Sequence, residues 1–136
     1  MKRILFSMIL LGTIALLSQS WDSTAQDPSW VVPESYKNMK NPVAADDASI
    51  DIGQGLYNQH CKSCHGKEGL GDGPKAAQLD TPSGDFTSEE FLGQSDGAIF
   101  YKTWIGRDEM PNFEKKIPDK EDVWHLVNYM RHLGEM

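Results

Sequence analysis

Cysteine is scarce in this 136-residue chain: there are two, Cys61 and Cys64. A small secreted scaffold held by several disulfides is therefore excluded. No second ligand pair stands at finger-like spacing, which leaves a four-ligand structural zinc site without candidates. Basic residues are also few, with 13 Lys+Arg against 20 Asp+Glu and a net charge of -7. Such a surface repels nucleic acid and anionic lipid, and no nucleic-acid partner is expected. The acidity either steers the protein towards basic docking patches or simply keeps it soluble. No alternating strand of useful length and no internal repeat is present, so the expected fold is all-α.

Long apolar runs are confined to Ile4–Leu17. That run follows Lys2 and Arg3, falls short of the ~20 residues a permanent bilayer helix needs, and precedes the small residues Ser23-Thr24-Ala25. This is the layout of a secretory signal, with cleavage expected after Ala25. An uncleaved anchor is the alternative, since Trp21 and Asp22 make an untidy cleavage region. No cysteine near that point could carry a lipid. The expected organisation is a signal peptide at 1–25, an extended Pro-containing leader at 26–50 and a folded domain at 51–136. The expected location is the bacterial periplasm or the outer face of the inner membrane.

Both cysteines fall in Cys61-Lys62-Ser63-Cys64-His65. This C-x-x-C-H order is the attachment signature of haem c, in which both sulfurs bond to the porphyrin vinyls and the histidine supplies a nitrogen to iron. A thioredoxin-like pair would want a βαβ setting, and the glycine-rich Gly66–Pro74 stretch that follows cannot continue a helix. Export agrees with the motif, because haem is joined to such motifs outside the bacterial cytoplasm. One motif implies one covalent haem, and a domain this small would count that group as part of its core.

The leader contains Pro28, Pro33 and Pro42, yet Trp30, Val31, Val32 and Tyr36 are too apolar for a free tether. Part of it should lie across the domain surface, joined through Ala44–Ala48. Three main helices are expected. The first runs from about Asp51 into the motif, with Ile52, Leu56 and Tyr57 on its buried side. Gly53 and Gly55 there cost about 1 kcal/mol each relative to alanine, which suggests a second helix pressed against this backbone. The next opens at the N-cap Ser95, buries Ile99, Phe100, Thr103 and Trp104, and ends at a left-handed Gly106. A short turn around Glu89–Leu92 precedes it. The last starts at Asp119 and places Val123, Leu126, Val127, Met130 and Leu133 on one face, flanked by Trp124 and Tyr129.

An iron held by His65 keeps a second axial position, and its occupant decides the chemistry. Met110 is the leading candidate, because it lies in the loop Gly106–Pro111 with a proline behind it to fix its direction. A thioether ligand stabilises ferrous iron. Met39 lies in the leader, Met130 reads as core and Met136 is terminal. His125 and His132 read as surface positions, and His60 is too close to Cys61 to reach the opposite face. Trp104 and Arg107 could donate to a propionate. Core packing for Trp104 and a solvated ion pair for Arg107 are the competing readings.

Together these residues resemble class I mono-haem c-type cytochromes over about Gly53–Leu133. Gly53 and Tyr57 are similar to that family's N-terminal helix, and Trp124 and Tyr129 to the C-terminal helix that crosses it at the glycine. The Gly-x-Gly-Asp-Gly-Pro segment ending at Pro74 resembles the loop whose proline carbonyl accepts a hydrogen bond from the proximal histidine. Met110-Pro111 and Phe113 resemble the distal loop. The leader, with Trp30-x-x-Pro33 and Asn41-Pro42-Val43, resembles those of cytochromes serving respiratory complexes and periplasmic oxidoreductases. The resemblance implies long loops wrapped around haem c, His65/Met110 ligation and one-electron transfer between redox proteins, without a small-molecule substrate or catalysis of its own. The alternative is a haem enzyme or gas sensor with an open distal position. Arg107, Asp108 and Glu109 stand near the distal loop, although a four-helix sensor would carry its motif close to the C-terminus.

Overall fold

A computed structural model describes residues 30–136. The expected signal peptide and the first residues of the leader lie outside them. The described residues contain six α-helices and no strand: α1 (Glu34–Lys37), α2 (Asp47–His60), α3 (Lys62–His65), α4 (Glu89–Leu92), α5 (Asp96–Ile105) and α6 (Lys120–Glu135). The fold is all-α. Among the described residues no helix is long and apolar enough to cross a membrane.

Helix α2 begins earlier than the expected Asp51. Asp46 is its N-cap, accepting a 2.9 Å hydrogen bond from the Ser49 N–H, so Asp47 and Ala48 form the first turn instead of a joint. Its buried stripe is Ser49, Gly53 and Tyr57. Ile52, expected inside, is 45% exposed. The hydrophobic period failed here because the residues at the helix contact are a hydroxyl, a glycine and a phenol.

The reason lies in α6, which crosses α2 at Gly53. A Cβ on Gly53 would run into the His125 carbonyl oxygen and lie 2.7 Å from Tyr129 Cβ. Only a residue without a side chain lets the backbones approach so closely. Gly55 is different: a Cβ there would meet nothing within 4 Å, so its presence has no packing cause. Tyr129 and the His125 backbone make the crossing, whereas Trp124 turns towards α5 and stacks on Phe100 with centroids 4.3 Å apart.

Helices α5 and α6 follow the expected signals. Ser95 caps α5 by accepting from the Ala98 N–H at 3.2 Å, and Gly106 (φ 68°) ends it. Asp119 caps α6 by accepting from the Glu121 N–H at 2.9 Å. The buried face of α6 carries Val123, Leu126, Val127, Met130 and Leu133, as its apolar spacing requires.

The described part of the leader, from Trp30, lies against the domain, as its apolar residues require. Helix α1 packs on α5, with Tyr36 4.7 Å from Tyr101 and 6.4 Å from Phe100, centroid to centroid. Further along, Asn41 donates to the Asn128 amide oxygen at 2.7 Å. Asn128, itself 6% exposed, donates to Ser49 Oγ at 2.8 Å and to the carbonyls of Val43 and Ala44. His125 Nδ1 lies 2.8 Å from the same Ser49 oxygen. His125 is thus half-buried and bonded, not the surface residue expected from its place off the apolar stripe. His132 is exposed.

Candidate haem site

The motif begins at Cys61, directly after α2, and fills the single turn α3. Cys61 (φ −116°) separates the two helices, which turns Cys64 and His65 to one side. The glycine loop then folds back over the motif. Gly71 N–H donates to the His65 carbonyl at 2.9 Å, Gly73 N–H to Cys64 at 3.1 Å and Lys75 N–H to Ser63 at 2.8 Å. These bonds satisfy the carbonyls at a helix end that would otherwise be orphaned. A Cβ on Gly73 would stand 2.5 Å from the Ser63 oxygen, so glycine is required for the loop to lie so near.

Cys61, Cys64, His65 and Met110 all line one cavity of ≈ 490 Å³, within the ~300–1,000 Å³ range of cofactor sites. Its apolar walls include Ile99 from α5, Met130 from α6, and Phe86 and Phe113 from the loops. Met130 therefore serves both core and cavity, at 4% exposure. Phe86 holds His65 in place, with ring centroids 4.9 Å apart. Trp104 is 6% exposed, stacked on Phe100 and not part of the lining. Arg107 does line the cavity; its Nε is 3.1 Å from Asp108 Oδ2 and its guanidinium lies 4.8 Å from the centre of the Trp30 ring.

Burial drives the pKa of His65 down to about 4, so its imidazole is neutral and keeps a lone pair for a metal. Nδ1 of His65 is buried without a hydrogen-bond partner; the bond to a proline carbonyl implied by the family resemblance is not made. Burial, then the charge of Cys64, pushes the Cys61 thiol up to about 12. A thiol-disulfide catalyst needs the opposite, a depressed and reactive thiol. Both cysteines are free. Among the described residues no group of three or more His, Cys, Asp or Glu converges to hold a metal ion. A zinc or redox-disulfide centre is thus poorly served. Two free thiols and one neutral imidazole around an apolar cavity suit a covalently held haem, and the Met110 thioether lines the same cavity.

The distal loop is closed on itself and on α5. Arg107 and Met110 exchange both backbone hydrogen bonds at 2.9 Å, and Phe113 N–H donates to the Trp104 carbonyl at 3.1 Å. Glu109 stands beside Met110, but its carboxylate accepts from the backbone N–H groups of Asp80 and Thr81 at 2.8 and 3.0 Å. No local sequence signal announces a contact between such distant residues.

Residues 48–130 match the model of the family described as cytochrome c oxidase, cbb3-type, subunit III. Among solved structures, the chain is similar to one in the reducing HAO-like protein complex of Kuenenia stuttgartiensis, with 30% identity and a TM-score of 0.60. The match covers 70% of this chain and 49% of that one, so this chain spans about half the length of its structural relative. No curated protein matches. With the motif, the apolar cavity and more than half of the sequence in agreement, the chain belongs to the family of cytochrome c oxidase, cbb3-type, subunit III, and is a c-type cytochrome.

Proposed function

We propose that this protein is an exported one-electron carrier with a single haem c, attached through Cys61 and Cys64 and ligated by His65 and Met110. The observation that carries the proposal is the convergence of those four side chains on one apolar cavity. A haem bound there supplies an iron that gains and loses one electron. The chain's part is to fix the ligands and exclude water. Burial keeps His65 neutral, Phe86 backs its ring, and the mutual Arg107–Met110 bonds keep the methionine loop closed. A site held this firmly changes little between oxidation states, which favours transfer over substrate binding.

The partners are redox proteins, either a membrane respiratory complex or a periplasmic oxidoreductase. Membership of an oxidase-subunit family and likeness to a chain of a redox complex both favour this class. The signal-like residues 1–25 favour work outside the cytoplasm.

Absorption spectra of the exported protein, followed by carbon monoxide addition to its reduced form, test the ligation. A methionine-to-iron band in the red and no response to carbon monoxide are expected. A high-spin spectrum that shifts with carbon monoxide would remove Met110 as ligand and bring forward an enzyme or gas sensor.

A further inference from the structure

Three sets of contacts fix the loop that carries Met110. Two are local: the Arg107–Met110 pair closes the turn, and Phe113 N–H ties its far end to the last turn of α5. The third crosses the cavity wall. The carboxylate of Glu109 reaches the segment after the glycine loop, and a single oxygen, Oε2, accepts from both Asp80 N–H (2.8 Å) and Thr81 N–H (3.0 Å). Charged acceptors make the stronger class of hydrogen bond, and two adjacent N–H groups converging on one oxygen form a directional clasp.

The clasped segment leads towards the residues that back His65. Leu79 and Thr81 line the cavity. The same stretch leads to Phe86, whose N–H donates to the Gly69 carbonyl at 2.8 Å and whose ring stands beside His65. Glu109 therefore joins the loop bearing one candidate ligand to the chain that supports the other. Its neighbour Asp108 adopts a left-handed conformation (φ 51°), which is uncommon for a residue other than glycine. A turn holding such a residue gains from a tether outside itself.

We propose that Glu109 is a positioning residue, a latch between the Met110 turn and Asp80–Thr81 that keeps the thioether over the cavity. This rests on the reading of Met110 as an axial ligand. With the latch gone, the turn detaches from the opposite wall more often, and the sixth position is open for a larger fraction of the time. The fold need not change, because the local bonds of the turn and the α2–α6 crossing do not involve Glu109.

The test uses the full-length haem protein and three variants: Glu109→Ala, Glu109→Gln and Met110→Ala. Carbon monoxide binding to the reduced protein reads the open fraction, and the red methionine-to-iron band reads ligation directly. In Glu109→Ala, carbon monoxide binding should accelerate about threefold to tenfold, the size expected when a charge-assisted but solvent-exposed clasp is lost. The red band should weaken, and the Asp80 and Thr81 amides should exchange faster with solvent. Glu109→Gln keeps an acceptor oxygen at the same place but loses the charge, so it should fall between the parent and Glu109→Ala on every readout. Met110→Ala should lose the band and bind carbon monoxide without a lag. If Met110→Ala behaves so while Glu109→Ala matches the parent in band and carbon monoxide rate, the latch is refuted even if melting temperature falls. If Met110→Ala itself keeps the parent spectrum, the ligand assignment fails instead.

Discussion

On one side of this protein α2 and α6 cross with Gly53 against the His125 carbonyl and Tyr57 wholly buried. On the other, the segments around Gly69–Phe86 and Gly106–Ile117 surround a cavity. The first region is closed by contact between atoms of the chain itself. The second is held by scattered backbone hydrogen bonds and by single side chains such as Phe86 and Phe113, whose apolar surfaces face the space between them. Close packing is the normal state of a protein interior, and the wall of an apolar cavity takes part of its dispersion contacts from whatever fills it. On the proposed reading, a haem would complete the packing of the cavity side, while the crossing supplies the frame from which the motif is presented.

Filling the crossing is the most damaging way to break that comparison. In Gly53→Val the new side chain meets a backbone oxygen and Tyr129 Cβ, neither of which can swing aside. Overpacking of this kind usually costs about 1–3 kcal/mol; against the backbone of a second helix the expected loss is about 3 kcal/mol or more. Denaturant unfolding of the haem protein measures it. A loss below about 1 kcal/mol would show that the helices slide apart easily and that the frame is not rigid.

A smaller change probes the join between the two regions. Tyr57 rises from the crossing and donates to the Gly66 carbonyl at 2.8 Å, at the start of the glycine loop. Burial raises the pKa of its phenol, so it is a neutral donor at any working pH. Tyr57→Phe keeps the ring contacts with Tyr129 and Phe86 and deletes only the bond. The expected cost is about 1–2 kcal/mol, together with faster amide exchange in Gly69–Gly73. Loss of stability without faster exchange in that loop would mean that the bond belongs to the crossing alone.

The two regions were also unequally legible in the sequence. Cys61, Cys64 and His65 declare themselves because haem attachment imposes fixed spacing, and Met110 stands out as a loop methionine followed by proline. The structure puts all four on one cavity. Helices α5 and α6 were readable because Ser95 and Asp119 cap them and their buried faces are apolar. Helix α2 was legible in part: Gly53 and Tyr57 stand at the contact, as a close approach and a buried ring require, whereas the hydrophobic period points to Ile52, which is exposed, and passes over Ser49. The Asn41–Asn128–Ser49 network and the Glu109 clasp were invisible for a different reason. Each pairs polar residues far apart in the chain, and nothing in the local sequence of either partner records the other.

The gentlest test returns to the two glycines of α2. From the sequence they look equivalent, and both suggest a close helix neighbour. The structure separates them, because a Cβ at Gly55 meets nothing within 4 Å while one at Gly53 collides. Gly55 lies in the interior of α2, outside the left-handed region, where alanine is favoured over glycine by up to about 1 kcal/mol. Gly55→Ala should therefore stabilise the protein by a few tenths to about 1 kcal/mol and leave the spectrum unchanged. Gly53→Ala, the same chemical change two residues earlier, should destabilise it. Opposite signs from one unfolding experiment would locate the crossing to a single residue; equal signs would place the helix contact elsewhere on α2.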